Sequence, residues 1–310
     1  MSEPKRHHYL PKFYLDFFCS DGLLWVYDQK RKEYRQQTSK NTAVQNQYYS
    51  AFGPDGKKHI KVEQFLSVIE SLAKPVMVKI NDKRDISFQD KEALAIFISF
   101  LKVRVPNFEK AINEMTEKII KKQNEFMFSS EENTAIVLKN IEEKTGKNLD
   151  VSPKDFMEFV LSGQYDMEFS REHSLETMLS LGEDLIKFFL SMDWIFLYAQ
   201  DKTSFITSDN PFVLVPPDNY SPKGFYGVGL ITPGARKVIP LTQRTCLVMG
   251  DYGQRVIRRI ITSEDVRKVN LNIAVGCDSL LIARDKPLLE KLVKMTKINE
   301  WQIKSRVAVG

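Results

Sequence analysis

Three cysteines in 310 residues, Cys19, Cys246 and Cys277, are too few and too scattered for a disulfide framework, and no CxxC pair exists for zinc. Cys246 in TCLVM and Cys277 in VGCDSLL have apolar neighbours, which suits inert buried thiols in a reducing compartment. No run approaches the roughly 18 consecutive apolar residues of a membrane span. The start, MSEPKRHHYLPKFYLDFFCSDG, breaks its apolar part with Lys12 and Asp16 and has no small-residue cleavage site, so it reads as mature protein. These absences imply a cytoplasmic protein without a membrane partner. Also missing are GxxxxGK[ST], GxGxxG after a strand, HExxH, GxSxG and the kinase signatures. Gly227-Val228-Gly229 is an isolated pair that reads as a bend in a strand. The familiar nucleotide-hydrolysing, dehydrogenase, zinc-protease and α/β-hydrolase chemistries therefore lose their support.

What is present is a globular composition. Hydrophobic residues make up 43% and charged residues 27%, enough for a sizeable core. Lys plus Arg exceed Asp plus Glu by 45 to 40, a net +5, and the pI is near 8.8. Dedicated nucleic-acid modules concentrate their basic residues and exceed a pI of about 9. Here Lys118/Lys121/Lys122 and Arg255/Arg258/Arg259 read as solvated faces.

The hydrophobic period changes twice along the chain. Asp21-Gly22 opens a strand at LLWVYD, and EYRQQT from Glu33 is its partner across Gln29–Lys32, a β-hairpin. Gly53-Pro54-Asp55-Gly56 is a second turn. From Lys61 the period is helical: Val62, Phe65, Leu66, Ile69 and Leu72 share one face, and Pro75 ends or kinks that helix. Ser87 caps a helix that stops before Pro106. The charged segment from Asn107 to Lys147 is helical and solvent-facing, closed by Gly146. Ser152-Pro153 starts another helix, and Ser174–Ser191 is a core helix. After Met192 short apolar runs separated by Asp, Asn, Gly and Pro imply an antiparallel meander. Helices at Glu264–Ala274 and Lys286–Lys297 flank a last strand at SLLIAR. The expected fold is α+β in one domain: an N-terminal arm and hairpin (1–56) docked on a mostly antiparallel β-rich region (192–310), with a helical layer or subdomain (57–191) between them. Trp25 and Trp194 are expected in the core.

Three features carry polar chemistry. His7-His8 are two of only four histidines, and adjacent side chains of an extended segment point to opposite faces, so one at most lines a given site. Ser-Phe-Ile-Thr-Ser-Asp-Asn-Pro-Phe, from Ser204, runs a strand into a turn at which Asp209 either caps backbone groups or projects a carboxylate from a rigid support. Glu63 and Glu70 lie seven residues apart, nearly two helical turns, so both carboxylates fall on one face bordering the core. They either rim the core as salt bridges or hold a divalent ion.

HHYLPKFYLDFF, LLWVYD, QNQYYS, the Glu63–Glu70 helix, FISFLKVRVP, FITSDNPF and VIPLT, in this order from His8 to about Ala283, resemble the DUF4238 family. Its histidine-tyrosine falls on His8-Tyr9, its proline on Pro11, its "YD" on Tyr27-Asp28 and its "TSDNP" on Thr207–Pro211. Its arginine-proline falls on Arg104 and Pro106, separated here by Val105. His7 is an addition to the pattern, so His8 carries more weight. The resemblance implies an intracellular α+β protein of the kind found in bacteria and phages, and it implies no reaction.

Two functions are open. One is a phosphodiester-cleaving, nuclease-like or nucleotide-processing enzyme. In it His8 and Asp209 do acid–base work, Glu63 and Glu70 hold Mg²⁺ or Mn²⁺, and Arg104 and Asn210 bind the substrate phosphate of a nucleotide or nucleic acid. The other is a non-catalytic sensor or partner-binding module in a bacterial or phage defence setting, with the same polar residues tying the fold together. A separation of about 5 Å between His8 and Asp209 or Glu63 in an open pocket favours the enzyme. A lysine/arginine-poor polar face on the Lys61 helix argues against membrane association.

Overall fold

The structure is a computed structural model that describes residues 6–52, 58–59, 61–200, 202–218, 220 and 228–296. The turn at 53–56, Gly227 of the expected bend, and Lys297 lie outside those residues. The chain forms two compact units, one of residues 1–108 and 175–310, the other of residues 109–174.

The first unit opens with strand β1 (Arg6–His8) and the short helix α1 (Lys12–Asp16). The hairpin follows as β2 (Leu24–Asp28) and β3 (Glu33–Gln37). β4 (Val44–Asn46) then pairs antiparallel with β1, and β5 (Ala51–Phe52) pairs with β6 (Lys58–His59). Helix α2 (Lys61–Asn81) packs on α3 (Phe88–Val103). Ser87 caps α3 as the sequence implies, in a reciprocal box with Asp90.

Helix α2 departs from the expected form. It does not end at Pro75 but continues past it, because the buried stripe of Leu66, Ile69, Ala73, Val76, Met77 and Ile80 extends beyond the proline, on a face rotated part-way from the one that the sequence pattern suggests. Phe65 and Leu72 stay 40% and 52% exposed. A proline inside a helix costs about 3 kcal/mol, and burying Val76, Met77 and Ile80 returns about 1.5–3 kcal/mol each, so the helix continues.

The second unit contains most of α4 (Pro106–Met127), with α5 (Glu131–Thr145) and α6 (Pro153–Ser162). Gly146 ends α5 with a left-handed φ of 64°, and Ser152 caps α6 with Pro153 in its first turn. Phe128, Leu138 and Val160 are buried, and Phe128 meets Phe156 edge-on at 5.3 Å between ring centres.

The first unit resumes in α7 (Arg171–Leu190), followed by β7 (Met192–Ala199), β8 (Thr207–Ser208), β9 (Val213–Val215), β10 (Arg236–Pro240), β11 (Thr245–Tyr252) and β12 (Val256–Ile261). Helix α8 (Ser263–Val275), β13 (Leu280–Ala283) and α9 (Lys286–Thr296) complete it. The fold is α+β. The C-terminal strands do not form a single meander. They divide into a five-stranded sheet ordered β12-β7-β11-β10-β9, in which β12 runs parallel to β7, and a four-stranded sheet ordered β3-β2-β13-β8. The N-terminal hairpin thus docks on C-terminal strands through β2 and β13.

Period 2 explains why both faces of these sheets are covered. Along β2, Leu24 and Val26 enter the main core with α2 and α3, while Trp25 and Tyr27 turn to a second core under α8 and α9. Along β7, Trp194, Phe196 and Tyr198 enter the main core and Ile195 and Leu197 a third cluster. Trp194 is fully buried, and its indole N–H donates to the Phe189 carbonyl at 2.9 Å. Trp25 differs from expectation. It is only half-buried, at the border of the second core, with the Lys286 ammonium 5.8 Å from its ring. No described helix is long and apolar enough to cross a membrane.

Candidate functional site: two polar networks

Arg104 caps the end of α3 and is 3% exposed. A buried charge of this kind must be paired and hydrogen-bonded. Its Nε donates to the Tyr49 hydroxyl at 2.9 Å, one Nη to Glu70 Oε1 at 2.8 Å and the other to the His8 carbonyl at 2.8 Å. Burial works against the guanidinium charge, but Tyr49 and Glu70 outweigh it and raise the pKa. The Tyr49 hydroxyl donates onward to the His8 carbonyl at 3.3 Å. Glu70 reaches this network because it sits between Leu66 and Ala73 on α2, at the edge of the buried stripe.

The two histidines point apart, as alternation requires. His7 is buried, stacks on the Tyr49 ring and accepts the Tyr49 backbone N–H at 2.8 Å through Nδ1. Its Nε2 lies 3.5 Å from Glu63. His8 turns the other way, with Nε2 3.1 Å from the Lys40 carbonyl oxygen. That partner implies the Nε2–H tautomer, with Nδ1 as the acceptor. Burial lowers the His8 pKa against the Lys40 and Ser39 carbonyls, so the ring is neutral near pH 7.

The second network stands at one end of the four-stranded sheet. Asp28 is in register with Leu280, and Leu281 with Ser208, so the end of β2 and the residues after β8 flank the start of β13. Asp209 is 4% exposed and accepts four hydrogen bonds from the turn into β13. The donors are Asp278 N–H at 3.0 Å, Ser279 N–H at 2.8 Å, Ser279 O–H at 2.7 Å and Leu280 N–H at 3.0 Å. Burial raises its carboxyl to about 6, against the Ser279 and Asp278 donors that favour the ionised form. Asn210 Nδ2 donates to the Gly276 carbonyl at 2.8 Å, while its Oδ1 is buried without a hydrogen bond. Gln29 holds the same turn from the other side, its N–H on the Ser279 carbonyl at 2.9 Å. Gly276 is needed there for space: a Cβ would meet Val213 Cγ2 at 2.9 Å.

His8, Glu70 and Arg104 therefore share one network, Asp209 and Asn210 another, and Glu63 meets His7 rather than His8. Tyr9 lies between the two. It follows His8 in the chain, and its hydroxyl pKa is raised by burial and by the carboxylates of Asp209, Asp278 and Asp28. Among the described residues no group of three or more His, Cys, Asp or Glu side chains could hold a metal ion. An ion at Glu63 and Glu70 would compete with His7 and Arg104 for both carboxylates.

Tyr49, Asp278 and Ser279 were not among the residues that the sequence singled out. QNQYYS gives a signal for Tyr49, but the turn at 276–279 carries none. Lys102 also escaped notice. Burial lowers its ammonium to about 8, between the rings of Phe108 and Phe212 at 5.1 and 5.2 Å.

No curated protein and no solved structure matches the chain. The family model for DUF4238, described as a protein of unknown function, matches residues 6–287. With most of its length covered, from the arm that carries His8 to the start of α9, the chain belongs to the DUF4238 family.

Proposed function

We propose that this chain is a non-catalytic binding module, of the sensor or partner-binding kind, and that its motif residues are its frame. The observation that carries this reading is the saturation of Asp209. A carboxylate that is 4% exposed and accepts four hydrogen bonds from one turn, three of them on Oδ2, is engaged by the protein itself and offers little access to a substrate or a metal ion. Arg104 supports the same reading, since its three guanidinium nitrogens all donate within the protein rather than to an open cleft.

One observation favours the second reading, a nuclease-like or nucleotide-processing enzyme. His8 is a neutral imidazole whose Nε2 faces the Lys40 carbonyl, which leaves Nδ1 as the acceptor that a general base needs. The two readings separate in one experiment. Wild type, His8→Ala and Asp209→Ala are incubated with DNA, RNA and nucleoside triphosphates, with and without Mg²⁺ or Mn²⁺, and their unfolding is measured in parallel. The binding-module reading expects no turnover that depends on His8, and a large stability loss in Asp209→Ala. Hydrolysis lost in a fully folded His8→Ala would overturn it.

A further inference from the structure

Helices α8 and α9 and the segment before β8 enclose a cleft of about 310 Å³, at the low end of the size range of small-molecule sites. None of His8, Glu63, Glu70, Arg104, Asp209 and Asn210 lines it, so a ligand bound there would be independent of their role. Val266, Leu288 and Leu292 give it an apolar wall, and Lys202, Arg267 and Lys291 border it with three cations.

The charges are unbalanced in a selective way. Lys268 and Lys286, on the same two helices but not lining the cleft, pair with Glu264 and Glu290 one turn away. Lys202, Arg267 and Lys291 form no ion pair or side-chain hydrogen bond among the described residues. The single carboxylate in the cleft, Asp285, already accepts the Leu288 N–H at 3.0 Å and lies 3.9 Å from Arg284 Nε. Three like charges border one concave, partly apolar surface, and an anion seated in it would meet cations from three sides.

The supports are rigid. Buried Asn270 donates to the Ser204 carbonyl at 2.9 Å and accepts the Ile206 N–H at 3.0 Å, fixing α8 to the segment before β8 that lines the cleft. Arg244 donates to the Gln200 and Thr203 carbonyls at 3.1 and 2.8 Å, holding the turn that carries Lys202. The backbone that carries Lys202 and Arg267 is thus fixed, while the three cationic side chains stay exposed to solvent.

We propose that this cleft binds a small phosphomonoester with a flat or apolar body, of about mononucleotide size. A phosphate group offers nearly two charges and several acceptor oxygens to three cations, one of them an arginine fork, where a carboxylate offers one charge. The apolar wall takes the body of the ligand. A nucleic-acid strand would need a basic track rather than cations gathered about one bounded cleft.

The test is calorimetric titration of the full chain with AMP, phenyl phosphate, adenosine and inorganic phosphate, and co-sedimentation with phosphatidylcholine vesicles containing phosphatidic acid. The expected result is saturable binding of AMP or phenyl phosphate at one site. Adenosine and phosphate bind at least about tenfold more weakly. Arg267→Glu and Lys291→Glu, both at exposed positions, each weaken binding by about tenfold or more, the scale of a charge-assisted hydrogen bond. Leu288→Trp keeps every charge and fills the wall, and it should weaken binding as well. The proposal fails if neither phosphomonoester binds, or if binding survives the charge reversals. It fails too if the reversals weaken binding and Leu288→Trp does not, since that would mark diffuse attraction. Vesicle capture without binding of AMP or phenyl phosphate would assign the surface to a lipid headgroup instead.

Discussion

Replacing Arg104 by alanine should be among the most damaging single changes in this chain. The substitution removes donors to Tyr49, Glu70 and the His8 carbonyl, and it opens a space under the Tyr49 ring, 5.4 Å from the guanidinium carbon. Glu70, whose side chain is 26% exposed, recovers part of its hydration, so the loss there is modest. The Tyr49 hydroxyl and the His8 carbonyl keep one another at 3.3 Å. Breaking a buried pair from one side typically costs about 3–5 kcal/mol, and the partial exposure of Glu70 places the expectation near 3 kcal/mol. Glu70→Gln keeps an acceptor and should cost about 1 kcal/mol. Urea unfolding at pH 7 gives both values, and a double-mutant cycle gives their coupling, expected at about 1–2 kcal/mol. A loss below about 1 kcal/mol for Arg104→Ala would refute this reasoning, since it would mean that the arm is not held through this residue.

Asp209 should leave a signature in the pH dependence of stability. Its folded pKa, about 6, lies above the roughly 3.9 of an unfolded chain, so the folded state holds a proton that the unfolded state releases. This contribution is full below about pH 4 and is lost as the pH rises through 6, some 3 kcal/mol in all for a shift of about two units. Wild type should therefore gain stability relative to Asp209→Asn between pH 7 and pH 4 in denaturant titrations, and a difference that stays flat or reverses would show that the four donors hold the carboxyl low. Gly182→Ala tests the packing of α7 on α3: the new Cβ would sit 2.5 Å from the Phe100 ring, and the overpacking, about 1–3 kcal/mol, should outweigh the roughly 1 kcal/mol of helix propensity gained, lowering the melting temperature.

Local signals in the sequence translated well into local structure. Ser87, Ser152-Pro153 and Gly146 mark helix ends because caps are made within a few residues. The hairpin at Leu24–Gln37 is legible for the same reason. Pro75 misleads because its helix is decided by the burial of Val76, Met77 and Ile80, a tertiary effect that outweighs a local breaker. The division of the C-terminal strands between two sheets is equally hidden, since β13 chooses β2 from the far end of the sequence as readily as it chooses β8. At the candidate site, the polar residues stand out against apolar neighbours, but their partners do not. Asp209 finds Ser279 and Leu280 about seventy residues on, and no spacing rule reports that. Glu63 reaches His7 because extended backbone turns His8 the other way, toward Lys40.

The central claim is that Asp209 is occupied by the protein itself. Native-state hydrogen exchange of the Asp278, Ser279 and Leu280 amides measures this directly, because all three donate to that one carboxylate. In wild type the three should be protected together at pH 7, and in Asp209→Ala all three should lose protection while the amides of β7 and β11 keep theirs. Free exchange of these amides in wild type, at the rate of an open loop, would contradict the claim and return Asp209 to the groups available to a ligand.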